Sequence, residues 1–304
     1  MMGCSQRWQS SRLRWQPSRF YCTRCILKWC GTMKFAGISL NEPRIMGVIN
    51  ISPESFYKGS VRNDEEKLIE TALRMVEEGA SFIDIGAKST APYLETQIPV
   101  EEEIRRAVWA VKTIRNHVDV PISIDTTNAK VAEEAIKAGA DIINDVTGLK
   151  GDPEMPKVAA DYGTPVVLCA HGEVRNLSDP VRTVMDFLQE SLRIAERHGI
   201  EDVAVDPAIG FLRPEWPPWY VWDSKVIANL NLLKSLGKPI LVGVSRKSFI
   251  GAITGRQDPS ERLAGSLSAT AIAVLKGADI IRTHDVKETI DTVKVASFIR
   301  KFSP

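Results

Sequence analysis

One unit recurs eight times between residues 33 and 304: a short β-branched apolar run, a polar turn, and a stretch with helical spacing. After the first run, Leu68, Ala72 and Met75 follow the i, i+4, i+7 pattern of a helix with one buried face. The eight apolar runs cover residues 45–50, 82–87, 122–126, 142–146, 165–170, 203–208, 239–245 and 280–284. Eight strands that alternate with eight helices predict a single-domain α/β protein, a (β/α)8 TIM barrel over residues 33–304.

An open, doubly wound sheet is the alternative arrangement for such a repeat. That fold normally carries a glycine-rich phosphate loop directly after its first strand. The segment that follows Asn50 has no such loop. The sequence therefore favours the barrel.

Residues 1–32 differ in composition from the rest of the chain. They hold six Lys or Arg residues, no acidic residue, and four of the five Cys. Three interpretations are open: a metal site that uses Cys22, Cys25 and Cys30, an organelle transit peptide, or translation that starts at Met33. We expect residues 1–32 to be unstructured or untranslated, with no role in the fold.

Charge and hydropathy exclude two classes of partner. The formal net charge is +1, which argues against a protein that binds nucleic acid or a membrane surface. No apolar run approaches the roughly 18–20 residues needed to span a bilayer. We therefore expect a cytoplasmic protein that acts on small molecules.

Polar residues stand at the carboxyl ends of the predicted strands, where a barrel keeps its chemistry. Asp125, Asn144, Asp206 and Lys247 follow strands three, four, six and seven. Carboxylate and amide groups accept from ring N–H and amino groups, and a lysine donates to a ring carbonyl or nitrogen. These four residues predict a pocket for one heterocycle, the alternative being helix caps and structural salt bridges.

A second polar group belongs to strands one and eight, which become neighbours when a barrel closes. It consists of Asn50, Arg282 and His284. An amide oxygen binds a hard cation, and Arg and His bind phosphate oxygens. This group predicts a site for a phosphate or pyrophosphate with Mg²⁺.

The chain from about Arg44 onward resembles the dihydropteroate synthase family, the pterin-binding barrels of folate biosynthesis. Seven motifs in order along the chain carry the resemblance. They are Ile-Met-Gly-Val-Ile-Asn50-Ile-Ser-Pro-Glu-Ser-Phe56, Phe-Ile-Asp-Ile-Gly86-Ala-Lys-Ser-Thr90, Ile-Ser-Ile-Asp125-Thr, Asp-Ile-Ile-Asn144-Asp-Val-Thr-Gly148, Asp206-Pro-Ala-Ile-Gly-Phe211, Val-Gly-Val-Ser245-Arg-Lys247-Ser-Phe-Ile-Gly251 and Arg282-Thr-His284-Asp-Val.

The resemblance implies a Mg²⁺-dependent transferase in which 4-aminobenzoate displaces pyrophosphate from a dihydropterin diphosphate. By similarity, Asn50 would bind Mg²⁺, and Arg282 and His284 would bind the diphosphate. We expect catalysis to depend on these two residues and on Asp125 and Lys247, which would hold the pterin together with Asn144 and Asp206. The residues that would frame the aminobenzoate are Phe56, Thr90, Pro92, Phe211, Lys247 and Ser248. The resemblance also implies a homodimer, although no predicted helix shows a surplus apolar face.

The chain departs from the family pattern in its loops. Lys58 and Ala91 stand where the family has a loop Asp and a loop Arg. We hypothesise that Lys58 or Lys88 makes the phosphate contact that the methyl group of Ala91 cannot make. Strand five ends in Cys169-Ala-His171 in place of Met-His-Met, which makes His171 a weak candidate for proton transfer. The aromatic loop 214–223 is either a hydrophobic plug or a stacking wall for an enlarged second substrate.

Two rival functions stay open. A corrinoid-linked methyltransferase domain would share the pterin pocket but would not need Asn50, Arg282 and His284 as a diphosphate site. A catalytically silent pterin-binding protein is compatible with the altered loops. The sequence leaves the identity of the arylamine open.

Overall fold

The computed structural model describes residues 32–51, 61–88, 98–174, 178–214 and 217–302. The prediction for residues 1–32 therefore lies almost wholly outside the described residues, as do those for Phe56, Lys58, Thr90 and Pro92. Eight parallel strands form the central sheet. They are β1 (Arg44–Asn50), β2 (Ala80–Gly86), β3 (Ile122–Asp125), β4 (Ile142–Asp145), β5 (Val166–Cys169), β6 (Val203–Asp206), β7 (Leu241–Gly243) and β8 (Ile280–Thr283).

The sheet curls into a barrel. Strand β1 pairs in parallel with both β2 and β8, and the strand order is 6-5-4-3-2-1-8-7. A bridge between Val205 and Ile240 closes the remaining gap, and Val205 N–H donates to the Pro239 carbonyl at 2.8 Å. This closure confirms the TIM barrel and excludes the open sheet.

Helices cover the outside of the barrel. The described residues contain nine α-helices: α1 (Val61–Glu77), α2 (Val100–Arg115), α3 (Ala129–Ala138), α4 (Met155–Tyr162), α5 (Pro180–Arg197), α6 (Trp219–Ala228), α7 (Ser248–Thr254), α8 (Leu263–Leu275) and α9 (Val286–Arg300). Two of them, α7 and α8, connect β7 to β8, where one helix was predicted. None of the helices in these ranges has the length and apolar character that crossing a membrane requires.

The lower end of the barrel is closed by a two-stranded hairpin of Lys34–Phe35 and Ile38–Ser39. Phe35 is fully buried, and its ring centroid lies 6.1 Å from that of Phe82. The same cluster contains inward-facing residues of seven strands: Met46, Phe82, Ile142, Val167, Ala204, Leu241 and Ile280. The lower half of the barrel is therefore a packed apolar core, which leaves the upper end for polar groups.

The outer surface carries an apolar patch on α8, on α9 and directly after α9, contrary to the expectation of no surplus apolar face. The patch consists of Ile272, Leu275, Val295, Phe298, Ile299 and Phe302. Phe298 and Val295 are 62% and 61% exposed. Exposed apolar patches are common at sites where proteins contact other molecules.

Candidate active site

The barrel interior changes from apolar to polar at about half its height. Side chains two residues apart on a strand share a face, so Asp84 follows Phe82 into the interior, where it is fully buried. Asp84 was not predicted as a site residue, because the predictions were confined to strand ends. Its signal was an acidic residue in the middle of an apolar run, on the same face as Phe82. The inward-facing polar residues at this level, here called the polar layer, are Asp84, Asp125, Asn144, Asp206 and Arg282.

Arg282 links the members of the polar layer. Its Nε donates to Asp84 Oδ2 at 2.7 Å, and its Nη2 donates to Asp125 Oδ2 at 3.0 Å. Asn144 Nδ2 donates to both oxygens of Asp84 at 3.4 Å. Arg282 thus joins the two polar groups that were predicted as separate sites, because it reaches from β8 to the acids of β2 and β3.

Asp125 has one buried oxygen that the polar layer does not use. The residue is 4% exposed, and its Oδ1 accepts no hydrogen bond from any residue that the structure describes. Burial raises the pKa of Asp125 to about 7, an effect that Arg282 opposes and Asp84 reinforces. A buried acceptor of this kind suits an N–H donor of a bound heterocycle.

Asp206 and Lys247 form the opposite side of the mouth. Asp206 Oδ1 accepts the N–H of Ala208 at 2.7 Å, and burial raises the pKa of Asp206 while Lys247 opposes that rise. Lys247 Nζ donates to the Ile209 carbonyl and lies 4.6 Å from the centroid of the Phe211 ring. Burial lowers the pKa of Lys247, and the carboxylate of Asp206 opposes that effect most strongly. This side therefore offers a cation, an acid and an aromatic face.

Asn50 and His284 lie at the upper rim, where β1 adjoins β8. Asn50 Nδ2 is 3.5 Å from His284 Nε2, and His284 Nδ1 is 3.1 Å from Ser245 Oγ. The side chain of His284 is exposed at the rim, yet the surrounding protein and then the charge of Arg282 lower the pKa of its imidazole. The lowered pKa favours the neutral imidazole at pH 7. A Cβ at Gly86 would lie 3.0 Å from Asn50 Oδ1, so glycine makes room for this amide.

Ser248 is the first residue of α7, beside Lys247. Its Oγ accepts from Arg213 Nη2 at 2.7 Å, and the Arg213 guanidinium lies over the Trp219 ring at 4.3 Å. Phe211 and Arg213 also line a cavity of about 480 Å³. The other residues that line it are Val146, Thr147, Ala170, His171, Gly172, Val174, Leu212 and Pro214.

The predicted aromatic loop is partly helical. Trp219, Tyr220 and Trp222 lie in α6, and Trp222 is 1% exposed within the core. Trp222 therefore supports the hydrophobic-plug interpretation. Trp219 instead contacts Arg213 at the edge of the site.

Lys88 has a partner inside the protein. Its Nζ donates to Glu103 Oε2 at 2.6 Å, and Glu103, 1% exposed, accepts a second hydrogen bond from Thr126 Oγ1 at 2.7 Å. The charge of Lys88 is therefore used to neutralise a buried carboxylate. Of the two lysines considered for the phosphate contact, this favours Lys58, which lies outside the described residues.

Cys169 and His171, at the end of β5, take different positions. Cys169 is buried, and its burial raises the pKa of the thiol well above the ordinary value. This matches a small buried hydrophobe. His171 faces the cavity, where burial and Lys150 lower the pKa of its imidazole.

Comparisons with known proteins agree with the fold. The family of pterin binding enzymes matches residues 46–284 by its sequence model, so the chain belongs to that class. A dihydropteroate synthase of Clostridium beijerinckii is 39% identical over 258 residues, which cover 84% of this chain and 93% of the relative. Within the class, the chain belongs to the dihydropteroate synthase family of transferases.

Solved structures give the same result. The dihydropteroate synthase of Xanthomonas albilineans with 4-aminobenzoic acid superimposes with a TM-score of 0.81 at 37% identity. That match covers 90% of this chain and 99% of the other. The same enzyme in complex with 7,8-dihydropteroate gives a TM-score of 0.78 at 35% identity, with 90% and 100% covered.

Proposed function

We propose that this protein joins a dihydropterin to 4-aminobenzoate or a related arylamine, with release of pyrophosphate. The observation that carries the proposal is the polar layer. There Asp125 Oδ2 accepts from Arg282, while the buried Asp125 Oδ1 accepts no hydrogen bond from the described residues, which include the nearby Asn144. Polar groups that converge in this way fit a flat heterocycle with several N–H groups. The ligands of the Xanthomonas albilineans enzyme support the same substrates.

The transfer forms one bond and breaks one. The arylamine nitrogen attacks the methylene carbon of the dihydropterin diphosphate, the carbon–oxygen bond breaks, and pyrophosphate departs with the electron pair. The amine then loses a proton. The protein holds both reactants in line and stabilises developing charge, so no covalent nucleophile is required.

Each predicted residue has a place in this proposal. Asp125, Asn144, Asp206 and Lys247 hold the pterin, and Arg282 stabilises negative charge next to the reacting carbon. His284 donates a hydrogen bond to the diphosphate. Phe211 and Ser248 border the arylamine, together with Phe56, Thr90 and Pro92. Lys58 contacts the diphosphate.

Asn50 is the proposed Mg²⁺ ligand. The described residues contain no group of three His, Cys, Asp or Glu side chains that would hold a metal ion. A rim amide fits Mg²⁺ nonetheless, because this ion keeps several waters and binds through one or two protein ligands together with substrate phosphates. When bound there, Mg²⁺ would neutralise charge on the leaving diphosphate.

We further propose that the protein works as a homodimer in the cytoplasm. The exposed apolar patch on α8 and α9 supports self-association, because a second copy would remove these side chains from water. The cytoplasmic location stays a prediction.

The proposal is tested by release of pyrophosphate from dihydropterin diphosphate, with Mg²⁺ present and 4-aminobenzoate varied. Release that depends on the arylamine supports the transferase. Pterin binding without release, whichever arylamine is offered, would favour the silent pterin-binding protein. Methyl transfer to a corrinoid without use of the diphosphate would favour the methyltransferase.

A further inference from the structure

One face of α6 contacts the segment that follows β6. Trp219 and Asp223 are four residues apart on this helix, so their side chains share a face. Asp223 is 1% exposed, and it is a buried acid with no role in the proposed transfer. We call these two residues the α6 platform.

Asp223 fixes the backbone beside Lys247. Its Oδ1 accepts the N–H of Gly210 at 3.0 Å. Gly210 has φ +82°, and a Cβ at this position would lie 3.0 Å from Lys247 Cδ, so glycine suits both the backbone conformation and the close lysine stem. The residues on either side of Gly210 also contact the lysine: Ile209 accepts from its Nζ, and Phe211 lies beside it. One carboxylate thus holds the segment that shapes the environment of Lys247.

Trp219 acts in the same way on Ser248. Its ring supports the guanidinium of Arg213 at 4.3 Å, and Arg213 donates to Ser248 Oγ at 2.7 Å. A guanidinium stacked on an aromatic face is restricted in orientation. The hydroxyl of Ser248 is therefore held by a chain of contacts that ends on α6.

Charge adds a second link between Asp223 and Lys247. Asp223 Oδ2 is buried and accepts no hydrogen bond within the described part of the chain. Burial raises the pKa of Asp223 to about 6, against the opposing charges of Lys247 and Arg213. The ionisable groups that act on Lys247 are Asp206, Cys169, Arg282 and Asp223. Asp223 thus helps to keep the lysine charged.

We propose that the α6 platform positions the two substrates: Asp223 sets Lys247 against the pterin, and Trp219 sets Ser248 against the arylamine. Both are positioning residues, since they act through the segment after β6 and not on the reacting atoms. The inference rests on the proposed function, because it requires Lys247 and Ser248 to contact substrates. It predicts that the two residues affect different substrates.

The test compares Asp223→Ala, Asp223→Asn and Trp219→Leu with Asp279→Asn. Asp279 is a matched control, because it is also a buried acid that accepts a backbone N–H, from Ile240 at 2.8 Å, and it pairs with Lys234. It directly precedes β8, so it lies at the lower end of the barrel and away from the site. We expect Asp223→Ala to lower kcat/KM for the dihydropterin diphosphate by about 10–100-fold, by analogy with residues that orient metal ligands. Trp219→Leu should raise the KM for the arylamine and leave that for the pterin unchanged.

The Asp223→Asn variant separates the effect of the hydrogen bond to Gly210 from the effect of the negative charge of Asp223. Asp223→Asn keeps an acceptor for the Gly210 N–H but removes the negative charge, so the pKa of Lys247 falls further. The alkaline limb of the kcat/KM profile should then move to lower pH, while activity near neutral pH is closer to wild type than in Asp223→Ala. Thermal unfolding checks that each variant folds. If Asp223→Ala does not fold, the comparison of Asp223→Asn with Asp279→Asn tests the inference.

The outcomes distinguish this inference from the proposed function. If the wild-type protein is active and the Asp223 variants change kcat/KM and its pH profile no more than Asp279→Asn does, the platform has no positioning role. If the wild-type protein forms no product, the affinity for the dihydropterin, measured by calorimetry, still tests the positioning role of Asp223. Weaker binding in Asp223→Ala than in Asp279→Asn supports the inference, and equal binding overturns it.

Discussion

Arg282 Nε donates to Asp84 Oδ2 across 2.7 Å inside the barrel mouth, although the two residues are 198 positions apart in sequence. The Asp84 side chain is 0% exposed and that of Arg282 is 18% exposed. Neither charge can be removed alone without leaving the other in a poorly solvated position. The pair therefore ties the first and last parts of the barrel together through its active site.

We predict that Arg282→Met lowers the free energy of unfolding by about 3–5 kcal/mol, the usual cost of leaving a buried charge without its partner. Asp84→Asn should lower it by less, because Arg282 keeps its ion pair with Asp125. Urea unfolding measures this change. The double variant Asp84→Leu/Arg282→Met should lose less than the sum of the two single changes, because both single changes break the same ion pair. Asp125 still loses its Arg282 partner in the double variant. Lys137→Met, which removes an exposed ion pair with Glu133, should change stability far less. Single variants as stable as Lys137→Met would show that the Arg282–Asp84 pair is not structural.

Asp125 predicts a pH dependence of pterin binding. Its pKa is raised to about 7, so the carboxylate is protonated, and loses its charge as an acceptor, when the pH falls through about 7. Dihydropterin affinity should therefore weaken as the pH is lowered from 8 to 6. Asp125→Asn should bind about 10–150-fold more weakly at pH 8, as expected for the loss of a charged hydrogen bond of about 1.5–3 kcal/mol. Its affinity should also lose this pH dependence, and a variant that keeps the wild-type slope would exclude Asp125 as its source. Calorimetry at several pH values gives both results.

Removal of the charge of Lys58 and of Lys88 should have different effects on stability and on KM. Lys88→Ala leaves the buried Glu103 without its ion-pair partner, so we expect a loss of about 1.5–3 kcal/mol of stability and little change in KM. Lys58→Ala should raise the KM for the dihydropterin diphosphate about tenfold, the effect of losing one charged interaction of about 1.4 kcal/mol. Steady-state kinetics and urea unfolding on both variants separate the two effects. Wild-type kinetics in both variants would show that neither lysine contacts the phosphate groups.

The apolar patch predicts the oligomeric state. Val295→Asp/Phe298→Glu places two charges in the exposed patch on α9 and should convert a dimer to monomers. Light scattering after size exclusion measures the mass directly. Tyr162→Glu is a suitable control, because Tyr162 is also exposed but ends α4, across the barrel from α9. A wild-type monomer, or a dimer that survives the double change, would contradict this assignment.

The barrel was predictable because its signal is repeated. Eight apolar runs with polar ends leave few other arrangements, and all eight became strands. All predicted strands except the first extended too far at their upper ends. For example, β6 ends at Asp206, and Ala208 has φ +62° where the chain turns away. A run of apolar residues does not reveal where a buried strand stops pairing. The division of the β7–β8 connection into two helices did leave a signal, the polar, proline-containing segment 255–262, which separates two apolar stretches.

The site was predictable where chemistry coincides with a strand end. Asp125, Asn144, Asp206 and Lys247 were found in this way, and the structure brings them to one mouth. Asp84 was missed because it lies inside a strand, and the hydrogen bonds of Arg282 depend on side-chain reach that no local pattern records. The same limit applies to Asp223, whose role depends on contact with a loop 13 residues earlier in the chain.

Mass spectrometry of the reaction product tests the central claim most directly. Purified protein is mixed with dihydropterin diphosphate, Mg²⁺ and 4-aminobenzoate, and the mixture is searched for the condensed pterin–aminobenzoate. We predict that the wild-type protein forms this product together with an equal amount of pyrophosphate, and that Asp125→Asn forms at least about tenfold less, the effect of losing one charged hydrogen bond. Absence of the condensed product from the wild-type reaction, with dihydropterin shown to bind, would contradict the assignment of this site as a transferase.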